Sequence, residues 1–260
     1  MAPAPPGRCS SWPLPSLGLR PYAALAQTSA TMLRLMQENR RPTDAVVIFA
    51  KAPVPGQVKT RLGRALGDDA AARLAEAFLL DVLESARSLR DQLVVIAFSP
   101  PSSEPWFRSH VGACHLVPQP QASFGERVIA ALGEAHRLGA ERTVIVGMDS
   151  PHLGTERWED AFTALDDHDA CVGPCEDGGY YLLGLRAPRP GMFEDIPWGG
   201  PKVLAATRAR AAALGLSLAE LEADFDVDEV EDLGRLAARL EHDAAACPHT
   251  RAALEAAGIQ

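Results

Sequence analysis

The sequence predicts an α/β fold, a mainly parallel central sheet flanked by helices. Three observations carry this expectation. Short unbroken apolar runs recur at 45–50, 93–98 and 143–147, the pattern of strands buried on both faces of a sheet. Stretches with apolar residues at helical spacing stand between them. Their alternation implies βαβ units.

The elements follow in order. Residues 1–43 hold six prolines within their first half, and five arginines against the single acid Glu38. Such composition buries little and is expected to be a disordered extension. It has no apolar stretch long enough for a secretory signal. Its Arg and Ser content weakly resembles a transit peptide, and Met32 and Met36 offer alternative starts just before the first strand. A domain spanning 44–245 and a peripheral helix at 246–260 complete the expected organisation.

Strand 45–50 leads into Lys51-Ala52-Pro53-Val54-Pro55-Gly56-Gln57-Val58-Lys59-Thr60-Arg61-Leu62. Helix 68–89 follows, with Leu74, Ala77, Phe78, Val82, Leu83 and Ala86 at helical spacing. Strand 93–98 stops at Pro100 and Pro101. A short helix at 104–110, a short strand at 114–117 and a helix at 124–138 come next. Strand 143–147 runs straight into Met148-Asp149-Ser150-Pro151. After a helix at 155–165, strands 170–173 and 180–185 are joined by Pro174-Cys175-Glu176-Asp177-Gly178-Gly179. Pro201 is expected in the first turn of a helix reaching about residue 214, a position proline favours. A brief strand at 216–218 precedes Asp224-Phe225-Asp226-Val227-Asp228 and a helix through 240.

Right-handed crossovers bring the loops that follow parallel strands to one edge of the sheet, where ligands bind. Four polar stretches should meet there: 51–61, 147–151, 176–180 and 226–228. Lys59 and Arg61 bring positive charge to the start of a helix, where the dipole disfavours it, so a bound anion is expected between them. The loop is not a P-loop, because the glycine spacing before Lys59 is wrong. Asp149, directly after a buried strand, suits either a Mg²⁺ or Mn²⁺ ligand or the cap of the next helix. Asp226 and Asp228 flank Val227 and point the same way on an extended segment. One is expected to bind metal, Asp226 ahead, and the other to cap the helix with Glu231. Glu176 and Asp177 are candidates for a general base. Gly178 and Gly179 allow close backbone approach to a ligand, although Asp-Gly-Gly also makes a plain turn. Trp198 either stacks on a ring or covers the core. His152 is expected at the surface or as a cap.

Composition excludes other classes. The chain carries 34 acidic and 25 basic side chains, a formal charge of −9, which argues against a large nucleic-acid interface. No apolar run approaches the roughly 18 residues of a membrane span. Five scattered cysteines make a disulfide framework unexpected and a reducing cytoplasm the simplest compartment. Cys171 and Cys175 lack a second pair at zinc spacing and are expected to be buried thiols.

Four ordered motifs carry a family resemblance over about residues 44–240. They are Phe49-Ala50-Lys51-Ala52-Pro53-Val54-Pro55-Gly56 with Val58-Lys59-Thr60-Arg61-Leu62, then Gly147-Met148-Asp149-Ser150-Pro151, then Gly173-Pro174 with Glu176-Asp177-Gly178-Gly179-Tyr180-Tyr181, and last Asp226-Val227-Asp228 with Glu231-Asp232-Leu233. Together they resemble the DUF2064 family of nucleotide-diphospho-sugar transferase-like proteins. Three departures stand out: 121–127 keeps only Gly125-Glu126-Arg127 of the usual motif, Gly199-Gly200 follows Trp198 where Ser-Thr is expected, and Val230 replaces a common Pro.

The resemblance implies a Rossmann-like glycosyltransferase-A domain, a nucleotide-diphospho-sugar donor, a small-molecule acceptor and a divalent metal. Carried over, Asp149 with Asp226 or Asp228 would hold the metal. Ala50, Lys51, Ala52, Pro53, Gly56, Lys59 and Arg61 would wrap the nucleotide, with Lys59 and Arg61 at its phosphates. Glu176 and Asp177 would be catalytic, and Gly178, Gly179, Tyr180 and Trp198 would meet substrate. Glycosyl transfer is the leading expectation. Nucleotidyl transfer from an NTP to a phosphorylated small molecule is the alternative, followed by a non-catalytic nucleotide-binding module.

Overall fold

The computed structural model describes residues 43–89, 92–242 and 246–259, together with Met1. The extension expected at 1–43 lies outside the described residues except at its two ends.

The sheet is built around β1 (Asp44–Lys51), which pairs in parallel with β2 (Leu93–Ser99) on one side and β4 (Arg142–Gly147) on the other. Between its charged ends, Asp44 and Lys51, β1 is apolar because alternate side chains serve two cores. Val46 and Ile48 enter one cluster, Ala45 and Val47 the other. Seven strands run in the order β3-β2-β1-β4-β6-β5-β7, with β3 (His115–Pro118), β5 (Ala170–Pro174), β6 (Tyr180–Leu185) and β7 (Leu218–Glu220). β6 is antiparallel to both of its neighbours, and the other pairings are parallel. The expected brief strand at 216–218 thus lies two residues later. Asp169 takes the backbone N–H and hydroxyl of Ser217, pinning that residue outside the strand.

The cations at 59 and 61 stand at a helix start, and the long helix begins at Asp68, both as expected. A separate helix, α1 (Thr60–Leu66), comes first, and Gly67 at φ 88° divides it from α2 (Asp68–Ser88). α3 (Glu104–His110), α4 (Phe124–Arg137) and α5 (Thr155–Asp167) follow. Ser123 caps α4 by accepting the N–H of Glu126, whose carboxylate accepts the N–H of Ser123 in return. α6 (Val203–Ala213) begins after Pro201 rather than on it. Pro201 belongs to a turn packed on the β5–β6 hairpin, and Gly178 O accepts the N–H of Leu204.

α7 (Val230–Glu241) and α8 (Pro248–Ala256) close the chain. Asp81 of α2 is buried and accepts the first free N–H groups of α8, from His249 and Thr250. A third apolar cluster joins Leu62, Leu74 and Phe78 to Phe225, Val227, Leu233, Leu236 and Leu254. It holds the segment carrying Asp226 and Asp228 beside the sheet edge.

Phe78 is fully buried in that cluster. Phe78→Ala is therefore expected to lower unfolding stability by about 3–5 kcal/mol, the usual cost of such a cavity. Urea titration followed by circular dichroism measures it, and a loss below about 1 kcal/mol would contradict this packing.

Candidate functional site

The four stretches at 51–61, 147–151, 176–180 and 226–228 meet at the carboxyl edge of the sheet, and Lys59 is the knot between three of them. Its Nζ lies 2.5 Å from Asp149 Oδ1 and 2.9 Å from Asp228 Oδ1, and donates to the Val227 carbonyl at 2.7 Å. An ammonium has three hydrogens to give, and all three are placed. The side chain is only 5% exposed. Burial alone would lower the Lys59 pKa, but the charges of Asp149 and Asp228 outweigh it and hold the amine above its ordinary value. The Lys59 ammonium is thus given to protein oxygens while still lining the cleft at this edge. Its backbone sits in the left-handed region (φ 44°) at the N-cap of α1, a sparsely populated conformation for a side-chain-bearing residue.

Asp149 and Asp228 are partly exposed, at 41% and 52%. Neither caps a helix. Gly154 precedes α5, Glu229 takes the N-cap of α7, and Asp232 Oδ2 accepts the N–H groups of Asp228 and Glu229. Asp226 is more enclosed. Ser150 Oγ donates to its Oδ1, and Cys175 Sγ donates to its Oδ2 at 3.3 Å. Burial is the main force pushing the Asp226 carboxyl up, and the negative charge of Asp149 adds to it. The Cys175 thiol is likewise raised by burial, so it remains a neutral donor. Cys171 is pushed up to about 12 by burial, and both are free buried thiols.

This donor set suits a hard divalent cation. Its oxygens are carboxylates, and three carboxylates around one ammonium leave negative charge uncompensated. Asp81, Glu84 and His249 also bring donor atoms within 4.8 Å of one another, but Asp81 is occupied in capping α8, and His249 Nε2 pairs with Glu84 at 3.0 Å.

The β5–β6 hairpin is placed differently from the expectation. Arg235 binds both oxygens of Glu176, at 2.9 and 3.0 Å, and this pair depresses the carboxyl. Glu176 is thus the ion-pair partner of Arg235. Asp177 Oδ1 accepts the N–H of Gly179 at 2.8 Å, an Asx turn. Gly178 has φ +87°, and a Cβ there would stand 2.2 Å from the Pro201 carbonyl.

A cleft of about 400 Å³ opens over this edge, lined by Phe49, Ala50, Lys51, Lys59, Arg61, Ser99, Gln119, Phe124, Arg127, Asp149 and Asp228, among others. Four cations against two carboxylates make it locally positive on a chain of charge −9. Arg61 is 62% exposed, and Lys51 is exposed too. Ala52, Pro53 and Gly56 do not line the cleft. Ala52 is buried, and its N–H binds the Ser99 carbonyl.

Arg127, Gln119 and the two phenylalanines escape the sequence prediction. Gly125-Glu126-Arg127 at a helix start was the available signal for Arg127. A smaller cavity of about 230 Å³ beside the cleft holds Tyr180, Asp149, Asp226, Phe49 and Phe124. Trp198 packs on Phe124 at 4.8 Å and edge-on to Tyr180 at 6.4 Å, so it backs this aromatic corner.

His152 is neither at the surface nor a cap. Its side chain is fully buried, stacks on Phe225, and its Nε2 meets Asp224 Oδ1 at 3.1 Å. Burial would raise the Asp224 carboxyl, but hydrogen bonds from His152 and the Phe225 N–H bring it below its ordinary value.

Comparison with known proteins agrees with this architecture. The family model described as "Uncharacterized protein conserved in bacteria (DUF2064)" matches residues 80–200, taking in the motifs at 147–151 and 173–181 but not the first or last. The phosphoenolpyruvate guanylyltransferase of Sphaerobacter thermophilus is 30% identical over 183 residues, 69% of this chain and 86% of that protein. A crystal structure of a candidate nucleotide-diphospho-sugar transferase from Desulfovibrio desulfuricans G20 is 31% identical, covers 83% of this chain and 95% of its own, and has a TM-score of 0.77. CMP:2-keto-3-deoxy-manno-octonic acid synthetase complexed with CTP shares the fold, with 15% identity, 77% and 99% coverage and a TM-score of 0.52. Among the described residues no helix is long and apolar enough to cross a membrane.

Two outcomes test the geometry. Gly178→Ala should strain the hairpin against Pro201 and lower stability by about 1–3 kcal/mol in thermal unfolding; an unchanged midpoint would contradict the contact. Because Asp224 is lowered in the folded state, its contribution is present above the unfolded carboxylate value of roughly 3.9 and is lost as pH falls through the lower folded value. Asp224→Asn should therefore flatten the acid limb of the stability-versus-pH curve, and identical limbs would refute the assignment.

Proposed function

The chain belongs to the DUF2064 family, and from that premise we propose that it is a metal-dependent nucleotidylyltransferase of glycosyltransferase-A type. It takes a nucleoside triphosphate and a small acceptor carrying a phosphate or carboxylate, and it releases pyrophosphate. The observation that carries this reading is the state of the hairpin carboxylates: Glu176 is held by Arg235, and Asp177 turns back on Gly179. A hydroxyl acceptor calls for a base to take its proton. An ionised phosphate or carboxylate is already a nucleophile and needs positioning and charge neutralisation instead. The positive cleft supplies both.

Lys51, Arg61 and Arg127 are the cations available for the phosphates and the anionic acceptor. The Asp149 and Asp226 carboxylates would hold Mg²⁺ or Mn²⁺, with Asp228 alongside paired to Lys59. When bound, that ion neutralises phosphate charge and orients the triphosphate. Phe49 and Phe124 offer apolar faces to the nucleoside, and the tight Gly178-Gly179 backbone borders the acceptor side. Two relatives support the reading: one is a guanylyltransferase, and the fold is shared with a synthetase bound to CTP. Glycosyl transfer from a nucleotide sugar is the second reading. The aromatic corner of Tyr180, Phe124 and Trp198, a surface on which a sugar ring can pack, favours it, as does the likeness to the Desulfovibrio protein.

The decisive test incubates purified protein with Mg²⁺ and each of the four NTPs, alongside phosphoenolpyruvate and other phosphorylated or carboxylic acceptors, and measures pyrophosphate. Acceptor-dependent pyrophosphate release is the expected result. Nucleoside diphosphate release from nucleotide sugars instead would establish the second reading, and binding without turnover a non-catalytic module. Arg127→Ala should weaken apparent NTP affinity by about 10–100-fold, the scale of one lost charge-assisted hydrogen bond, and an unchanged KM would remove Arg127 from the site.

A further inference from the structure

We infer that Lys59 stands in the place of a second metal ion, so that the carboxylate cluster takes one divalent cation per chain and Asp228 belongs to the lysine rather than to the metal. The inference rests on the metal-dependent reading above and concerns how the same site is balanced.

Four features of Lys59 carry it. Its ammonium has the environment of a bound cation, with three oxygen partners at 2.5–2.9 Å, two of them carboxylates from different loops. The site is closed, because the Lys59 side chain is 5% exposed and Nζ lies 6.0 Å from the centre of the Phe78 ring. The group is fixed from both ends: the backbone is set in the left-handed N-cap of α1, and the tip is held by the Val227 carbonyl. Withdrawing it would leave two carboxylates and a carbonyl facing one another without a donor, a costly arrangement in a half-buried site.

Charge then fixes the count. Asp149, Asp226 and Asp228 bring three negative charges, and the buried Lys59 neutralises one; the exposed Arg61, 3.9 Å from Asp228, is itself offset by Glu229 at 3.4 Å, leaving what a single divalent ion balances. The oxygens divide the same way. Asp228 Oδ1 and Asp149 Oδ1 face Lys59, whereas Asp226 takes its side-chain hydrogen bonds among the described residues from the neutral donors Ser150 and Cys175 and forms no ion pair there. The sequence likewise puts Asp226 ahead as the metal ligand but gives Asp228 to a helix cap, whereas Lys59, 169 residues away, takes it.

The test counts Mn²⁺ bound to the purified full chain without nucleotide, by electron paramagnetic resonance of the free ion and by titration calorimetry. The wild type should bind one ion. Lys59→Met, of similar reach but without charge, should bind two, and adding Asp228→Asn to it should return the count to one. Circular dichroism melting checks that each variant is folded. Should Lys59→Met fail to fold, Asp228→Asn alone decides: one ion bound within about threefold of wild-type affinity is expected, while a loss beyond about tenfold would overturn the inference. Two ions in the wild type, or one in folded Lys59→Met, would overturn it as well. No Mn²⁺ bound by the wild type would instead fell the metal-dependent reading, and this inference with it.

Discussion

One buried ammonium organises the ligand edge of this protein. Lys59 draws together the loop after β1, the loop after β4 and the segment before α7, which have no covalent reason to meet. Remove its charge and the two acids it joins repel, and the carbonyl of Val227 loses its donor. The apolar cluster beneath, with Phe78 and Val227 fully buried, then has nothing polar to close it at the top. The left-handed backbone at residue 59 is the local cost of putting the amine there, offset by three strong hydrogen bonds.

Around that knot the charges are sorted. The chain as a whole is acidic, yet the main cleft is lined by more cations than carboxylates. The acids crowd on the other side, where Glu176, Asp177, Asp226, Asp228, Glu229 and Asp232 surround a smaller cavity with only Arg61 and Arg235 among them. A polyphosphate and a divalent cation are the partners such a division suits: one is attracted by the first region, the other by the second, and Arg61 borders both.

Much of the fold is legible in the sequence because β1, β2 and β4 are buried on two faces, and two-sided burial writes an unbroken apolar run. The edge where ligands gather follows from crossover handedness. What stays hidden is long-range pairing. Lys59 meets Val227 across 168 residues, and Glu176 meets Arg235 across 59. A motif shows that a lysine and a glutamate stand in loops, not whom they face. The cap of α7 is misread because Glu229, a poor capping residue by type, takes the position that Asp228 occupies by expectation. His152 looks like a surface residue next to Pro151, yet Phe225 and Asp224 enclose it from a loop more than seventy residues on.

The single reversed strand has a consequence of its own. The parallel half of the sheet, β3-β2-β1-β4, builds the wall of the main cleft, while β6, entering against the grain, delivers the hairpin and Tyr180 to the same edge from the other half. The hairpin is tied through Gly178 to the turn before α6 and through Glu176 to α7. The edge is therefore assembled from two separately connected halves of the sheet, and a change in the hairpin reaches the parallel half through Asp226, which Cys175 and Ser150 both bind.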